Sequence, residues 1–351
     1  MGNTLERLNQ VRGDIAADDV ALDEARERRD CVLNIADQFP GALRTYRSGS
    51  LAAGLMNQPV TDGDGGVVLD RRIYPELGPD GDGDGPYEII EDMHDFLAPR
   101  VRESYEDATV HRMKRGLKVY FHDPIDEEQD PTVDLVIALN RKVDDALWIP
   151  NRDRSRWDPS HPEKHHLMLR AGTRALRRVR ARVIRLGKAW NYQYSEPGLC
   201  SFNVVALALE EITEPMPLDE AVTLFFDYAA TAVGKGRTHD PADVSPPIKL
   251  LLRQTVVVAR LRKAADGLAD ALDHDDDDEA VDEALSEVFF NYVKPPAGSR
   301  SELVNALRHN NYGLVAGAVP GLSFARPGVS AARPLKPTRA YGGLRHDGTG
   351  Q

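Results

Sequence analysis

Residues 4–38 contain no proline and one glycine, Gly13. Leu5, Leu8, Val11, Ile15, Val20 and Leu22 recur at a loose helical period, and Val32, Ile35 and Ala36 resume it. The pattern predicts a long, kinked N-terminal helix that ends before Pro40. Residues 66–70 read as a strand, 75–86 as a Pro/Gly/Asp loop and 87–104 as a helix. LKVYF (117–121) and TVDLVIAL (132–139) read as strands joined by the acidic turn HDPIDEEQDP, and Asp134 interrupts the second. From residue 161 the period is helical, with helices near 162–170, 173–192, 200–212, 218–233, 246–272, 277–292 and 300–309. In DVSPPIK, Ser245 is placed to cap the long helix from 246, with prolines in its first turn. The tail from 318 is rich in Gly, Pro, Ala and Arg, has no period and is expected to be mobile. The order of elements predicts an α+β chain: a mixed region at 1–172 with the long N-terminal helix, a helical region at 173–317 and a tail at 318–351.

Composition narrows the partners. The chain has 351 residues, 41% apolar and 28% charged, enough to bury a substantial core. A net charge of −12 and a pI near 5.4 argue against stable nucleic-acid binding, whose footprint is usually basic. Nucleotides need only a local basic patch, and the charge is uneven. Acid dominates 78–95 and 273–283, and base dominates 170–188. No apolar run approaches the length of a membrane span. The start, MGNTLERLNQ, is too polar for a secretory signal and lacks the Ser/Thr of a myristoylation motif. Cys31 and Cys200 make neither a disulfide framework nor a zinc site. A cytoplasmic location with no membrane partner is the expectation.

The stretch RSGSLAAGLMNQPVTDGDGGVVLD, residues 47–70, carries the first candidate chemistry. A strand sends residues i and i+2 to one face, so Asp62 and Asp64 can aim at a common point. Asp134, inside an apolar strand, is costly as a carboxylate unless something compensates it. Mg²⁺, or Mn²⁺ in its place, would compensate all three, since such ions favour oxygen ligands and substrate phosphates. Two ions can clamp the attacking and leaving oxygens at phosphorus. Gly49 allows a close backbone approach, and Ser50 offers a hydroxyl and an N–H to a terminal phosphate. A solvated turn or an Arg-paired aspartate accounts for any single element, and it is the conjunction that points to phosphate chemistry.

That conjunction resembles the DNA polymerase β-like nucleotidyltransferase superfamily. There a Gly-Ser turn leads into a helix, Asp-x-Asp follows on one strand, and a third Asp lies on a neighbouring strand. The matching residues are Gly49-Ser50, Asp62-Gly63-Asp64 and Asp134. The chain departs at Gly63, Gly65 and Gly66, where the family usually places apolar residues between and after the paired aspartates.

TRALRRVRARVIRLGKAWNY, residues 173–192, is the second informative stretch. Leu176, Val179, Val183, Leu186 and Trp190 share one arc and predict a core face. Arg174, Arg178, Arg185 and Lys188 fall on the opposite arc, with Arg177 and Arg182 at its margins. The run RLGKAWN, followed by LCSFNVVALALEEI, resembles the cGAS/DncV-like nucleotidyltransferases, the CD-NTases, as does a long helix before the Gly-Ser turn. The resemblance covers roughly residues 5–310. It implies a polymerase β-like core plus a helical domain, bilobed around a central cleft. It makes Asp62, Asp64 and Asp134 the catalytic and metal-binding set. Gly49, Ser50, Lys188 and Ser201 become nucleotide-binding residues. The implied activity is Mg²⁺-dependent joining of nucleoside triphosphates into a cyclic di- or trinucleotide messenger in bacterial antiphage signalling. A downstream effector would read the product, and a regulatory protein is a further implied partner. Two other readings stay open: transfer to a tRNA, protein or small-molecule acceptor, and a non-catalytic nucleotide- or calcium-binding module.

Other segments carry weaker signals. DGDGDGPYEIIE fits a calcium-loop spacing, with Asp80, Asp82, Asp84 and Glu91 as ligands and Gly85 at the turn, but lacks an incoming helix. His161, His165 and His166 cluster without an acidic partner and read as surface or hinge histidines. VGKGRTHD lacks Walker spacing and reads as a mobile basic loop, and DHDDDDE as an acidic cap before a helix.

Overall fold

The computed structural model describes residues 2–83, 85–127, 129–236 and 238–309. The N-terminal segment forms two helices, α1 (Asn3–Asp14) and α2 (Asp19–Ala36), where the period predicted one. The break has a local cause. Asp18 stands in extended backbone and its carboxylate accepts from the Ala21 N–H at 3.0 Å, which starts a new helix. The chain divides into two compact units. One comprises Ala16–Ala171 and Asp240–Pro246. The other comprises, among the described residues, those up to Ile15, Gly172–His239 and Pro247–His309.

The first unit is built on a seven-stranded mixed sheet. Its strands are β1 (Ala42–Ser48), β2 (Asp62–Leu69), β3 (Thr109–Arg112), β4 (Gly116–Tyr120), β5 (Thr132–Asn140), β6 (Leu147–Asn151) and β7 (Arg156–Ser160). The order is β1-β2-β5-β4-β3, with β6 joined to the end of β5 and β7 to β6. β2 and β5 run parallel, and the other pairs are antiparallel. The helices α2 and α4 (Tyr87–Arg102) cover one face. There Val32, Leu33, Ile90, Met93 and Leu97 form a core with Val67, Leu69, Val133, Leu135 and Ile137. Alternation along β2 and β5 therefore leaves Asp62, Asp64 and Asp134 on the other face. The unit also holds two short helices, α3 (Gly49–Ala53) and α5 (Pro162–Arg170).

β2 begins at Asp62, four residues before the predicted strand start at 66. Its backbone is paired on both sides, to β1 and to β5, so strand propensity is not what holds it. The glycines answer to tight neighbours. A Cβ on Gly65 would meet Leu33 Cδ2 of α2 at 2.8 Å, and one on Gly66 would meet the Tyr46 hydroxyl oxygen at 2.3 Å.

The second unit is helical: α1, α6 (Arg174–Tyr192), α7 (Ser201–Glu211), α8 (Leu218–Lys235), α9 (Gln254–Asp273), α10 (Asp278–Val288) and α11 (Arg300–Arg308). The predicted start of α9 at 246 is eight residues early. Ser245 does not cap it, because its N–H and hydroxyl are given to Asp240 at 2.9 and 2.8 Å. Asp277 caps α10 as read from the sequence, accepting from the N–H groups of Glu279 and Ala280. Among the described residues no helix is long and apolar enough to cross a membrane.

Candidate metal and nucleotide site

Strand register assembles the carboxylates. Asp62 and Asp64 are two residues apart on β2, and Asp64 lies directly beside Asp134 of β5. One carboxylate oxygen from each of the three falls within 4.8 Å of the others. Among the described residues no other three His, Cys, Asp or Glu side chains converge in this way. Asp62 is 7% exposed, so the cluster is partly withdrawn from water. Three convergent hard oxygens suit Mg²⁺ or Mn²⁺ better than a metal that selects sulfur or imidazole.

The Gly-Ser turn is laid against this cluster. Ser48, the last residue of β1, pairs with Asp64, and Gly49 then opens α3 with φ +71°. A Cβ there would fall 1.7 Å from Asp64 Oδ2. Only glycine combines that left-handed backbone with so close an approach to a carboxylate. Leu51, 5% exposed, seats α3 in a small core with Ala21, Ala25, Met56 and Val60. Ser50 lies between the two, half-buried, at the start of the helix.

A cation that the sequence reading missed enters from β4. Lys118 is registered opposite Asp134, and its Nζ stands 3.3 Å from Asp134 Oδ2. Burial works against the Lys118 charge, but Asp134 and Asp62 outweigh it and hold the ammonium above its ordinary range. Burial pushes the Asp134 carboxyl up, against the opposing pull of Lys118. The available signal was a charged residue within the apolar run LKVYF, as unusual there as Asp134 is in its own strand.

The other two predicted site residues lie in the helical unit. The predicted α6 stripe of Leu176, Val179, Val183, Leu186 and Trp190 is buried throughout. Lys188, on the arc opposite that stripe, is only 5% exposed. The cause is that α6 is enclosed nearly all round from Val183 to Asn191, whereas a stripe of apolar residues reports only one face. Arg185 is half-buried and donates to the Ile15 carbonyl at 3.2 Å. Arg180 is buried and donates twice to the Ile212 carbonyl at the end of α7. Arg174, Arg177 and Arg178 are exposed. Ser201 is the first residue of α7, with its Oγ 2.8 Å from the Tyr192 hydroxyl.

The remaining candidates disperse. Asp80 and Asp82 are exposed, Glu91 is paired with Arg112, and Asp84 lies outside the described residues. His161 caps α5, accepting from the Lys164 N–H. His165 does have an acidic partner, Asp240, at 2.5 Å. Asp240 is 3% exposed and also accepts from Ala242, Val244 and Ser245, which ties down this end of VGKGRTHD. The tail 318–351 lies outside the described residues.

No protein-family model matches the chain, and no curated protein matches it. Solved structures do. CdnC of E. coli MS115-1, in complex with HORMA-deltaN, aligns over 82% of this chain and 98% of its own at 19% identity and a TM-score of 0.60. The Bradyrhizobium diazoefficiens CD-NTase CdnG, in complex with GTP, aligns over 87% and 97% at 17% identity and a TM-score of 0.58. The Vibrio cholerae cyclic AMP-GMP synthase DncV, bound to the linear intermediate 5′ pppA(3′,5′)pG, aligns over 74% and 70% at 17% identity and a TM-score of 0.52. At such identities the likeness is one of fold.

Proposed function

We propose that this chain, whose fold is that of the CD-NTases, is a metal-dependent nucleotidyltransferase that joins nucleoside triphosphates into a cyclic di- or trinucleotide. The observation that carries this reading is the meeting of Asp62, Asp64 and Asp134 within 4.8 Å. Gly49 backs against the Asp64 carboxylate. Asp62 and Asp64 would hold a divalent ion, Mg²⁺ or Mn²⁺, together with the donor triphosphate. Asp134 would complete the site beside the acceptor hydroxyl and accept its proton. When bound, the ion supplies charge neutralisation at phosphorus. Gly49 and Ser50 would receive the β- and γ-phosphates, and Lys188 and Ser201 keep the nucleotide-binding roles that the resemblance implies. A ribose hydroxyl attacks the α-phosphorus, a P–O bond forms and pyrophosphate leaves, so the work of the chain is positioning and charge stabilisation. Repeating the step on the linear product closes a ring.

The aligned structures set the expectations for partners. DncV carries a linear dinucleotide intermediate, and CdnC is bound to a HORMA protein. For this chain we extend that to nucleoside triphosphate substrates, a regulatory protein partner and an effector that reads the product in antiphage signalling. The test is direct. The purified chain is incubated with ATP, GTP, CTP and UTP and Mg²⁺ or Mn²⁺, treated with phosphatase, and its products identified by mass spectrometry. A phosphatase-resistant cyclic species that disappears with Asp62→Asn/Asp64→Asn supports the reading. Pyrophosphate release without it redirects the search to another acceptor. Nucleotide binding without turnover, in the presence of candidate regulators, favours the non-catalytic module.

A further inference from the structure

One side of α9 is turned outward: Thr255, Val256, Ala259 and Lys263 follow one another at helical spacing and are all exposed. With Tyr194, Arg260 and Arg308 they line a cavity of about 470 Å³ that lies wholly within the helical unit. That volume is in the range of small-ligand sites. Val256, Ala259 and the Tyr194 ring give the cavity apolar surface, and its charged lining is cationic. Two rings hold the arginines. Tyr194 and Phe290 pack edge to face with centroids 5.2 Å apart. Arg260 Cζ lies 4.1 Å from the Tyr194 centroid, and Arg308 Cζ lies 4.4 Å from that of Phe290. A ring against the face of a guanidinium leaves its edge, where the N–H donors lie. Arg260 gives one N–H to the Glu196 carbonyl at 2.7 Å, and Arg308 gives one to Asn305 Oδ1 at 3.4 Å, so most of their donors are left over. Among the described residues neither arginine is in an ion pair. Lys263 is paired with Glu287 of α10 at 2.7 Å and holds that carboxyl below its usual range, with Arg308 adding to the pull. Burial pushes the Tyr194 hydroxyl up, and both Arg260 and Arg308 act against it, so the two cations reach the same phenol.

An arginine lying on a ring is by itself an ordinary surface feature. Here two rings in contact bring two such arginines to one cavity that also offers apolar surface. We propose that this cavity binds a small phosphate-bearing ligand with an aromatic body, at a site of its own in the helical unit. Arg260 and Arg308 would take the phosphate, since a guanidinium edge matches its oxygens with parallel N–H donors. Val256 and Ala259 would cover the aromatic body, and this part of the cavity favours such a ligand over a bare inorganic anion. The assignment does not depend on the metal-dependent reading of the carboxylate cluster.

The test is a titration of the full-length chain against 1-naphthyl phosphate, followed by the fluorescence anisotropy of the probe. The parent should bind it, and should bind 1-naphthol, which lacks the anion, at least about tenfold more weakly. Arg260→Gln and Arg308→Gln should each weaken the phosphate probe at least about tenfold, and the two together should abolish its binding. Ala259→Trp removes no charge; it fills the cavity from an exposed position and should abolish binding as well. Asp62→Asn/Asp64→Asn should bind as the parent does. Circular dichroism confirms that each variant is folded. Should Arg260→Gln fail to fold, Arg308→Gln and Ala259→Trp carry the same expectation. Binding that survives Arg260→Gln/Arg308→Gln unchanged, or equal binding of 1-naphthol, would overturn the anion site. Binding lost in Asp62→Asn/Asp64→Asn would move the probe to the carboxylate cluster and overturn it too. A parent that binds no probe at millimolar concentration would also end it, and in each case the reading of the carboxylate cluster would be judged on its own test.

Discussion

Gly49 and Asp64 are so close that a methyl group on the glycine would sit 1.7 Å from the aspartate Oδ2. The contact joins the Gly-Ser turn to the carboxylate cluster, and it admits no side chain. Gly49→Ala therefore strains a backbone at φ +71° and displaces Asp64. The backbone alone should cost roughly 1–2 kcal/mol. A shift of about 1 Å at the cluster should lower turnover roughly 100-fold. Urea unfolding and steady-state rates measure the two effects separately. A Gly49→Ala enzyme that turns over like the parent would mean the close approach has no part in catalysis.

The aspartates themselves should separate stability from activity. Asp62→Asn/Asp64→Asn removes two of three convergent negative charges at constant side-chain volume, so the metal-free chain should keep its fold. Saturating Mg²⁺ should raise the parent's Tm and leave the variant's unchanged, because the ion binds the folded state only through these groups. Turnover should fall by roughly 1,000-fold or more. Thermal melts with and without Mg²⁺ decide it, and an equal Mg²⁺ shift in both chains would move the ion elsewhere.

The sequence exposed the carboxylate half of this site because its signals are local. Asp62 and Asp64 share strand parity, and Asp134 breaks an apolar run. It hid what depends on neighbours. Gly65 and Gly66 look like turn residues until Leu33 and Tyr46 are seen pressing on them. Lys188 sits opposite an apolar stripe, yet is buried because α6 is enclosed on more than one side. The strands β3, β6 and β7 are short, and ALRTYRS of β1 or RWDPS of β7 shows no alternation to read. Their pairing is long-range and leaves little trace in a window of residues. The start of α9 differs for a local reason: Ser245 gives its hydroxyl to Asp240, five residues back, instead of capping a helix.

Asp240 should confer a distinct acid sensitivity. Burial pushes its carboxyl up, but hydrogen bonds from His165, the Ala242 N–H and Ser245 prevail and hold it well below the usual range. A depressed folded-state value means the unfolded chain takes up the proton more readily. The stabilisation is thus fully present above the ordinary carboxyl value, about 3.9, and is lost as pH falls below it. Asp240→Asn should cost about 2 kcal/mol at pH 7, and the gap to the parent should narrow below about pH 4. Urea midpoints from pH 3 to pH 7 give both profiles. Parallel profiles would show that Asp240 carries no linked proton.

Arg28 offers the sharpest test of the sheet unit's packing. Its guanidinium is 1% exposed and lies on α2 against the acidic connection between β4 and β5. It holds Glu24 at 2.6 Å, Asp130 at 2.5 Å and the Pro131 carbonyl at 3.0 Å, and also reaches the Asp123 carbonyl. The Phe121 ring lies 4.8 Å from its Cζ. Arg28→Met keeps the volume but leaves those acceptors facing an apolar group, which should cost about 3 kcal/mol or more. Arg28→Lys should recover little, because one ammonium cannot supply a planar fork of donors to partners on several sides. Because the connection feeds directly into β5, loosening it should also disturb Asp134. Turnover in both variants should then fall further than their folded fraction explains. Denaturant unfolding fixes the folded fraction and rates at low urea give the remainder. A rate that simply tracks the folded fraction would confine Arg28 to stability.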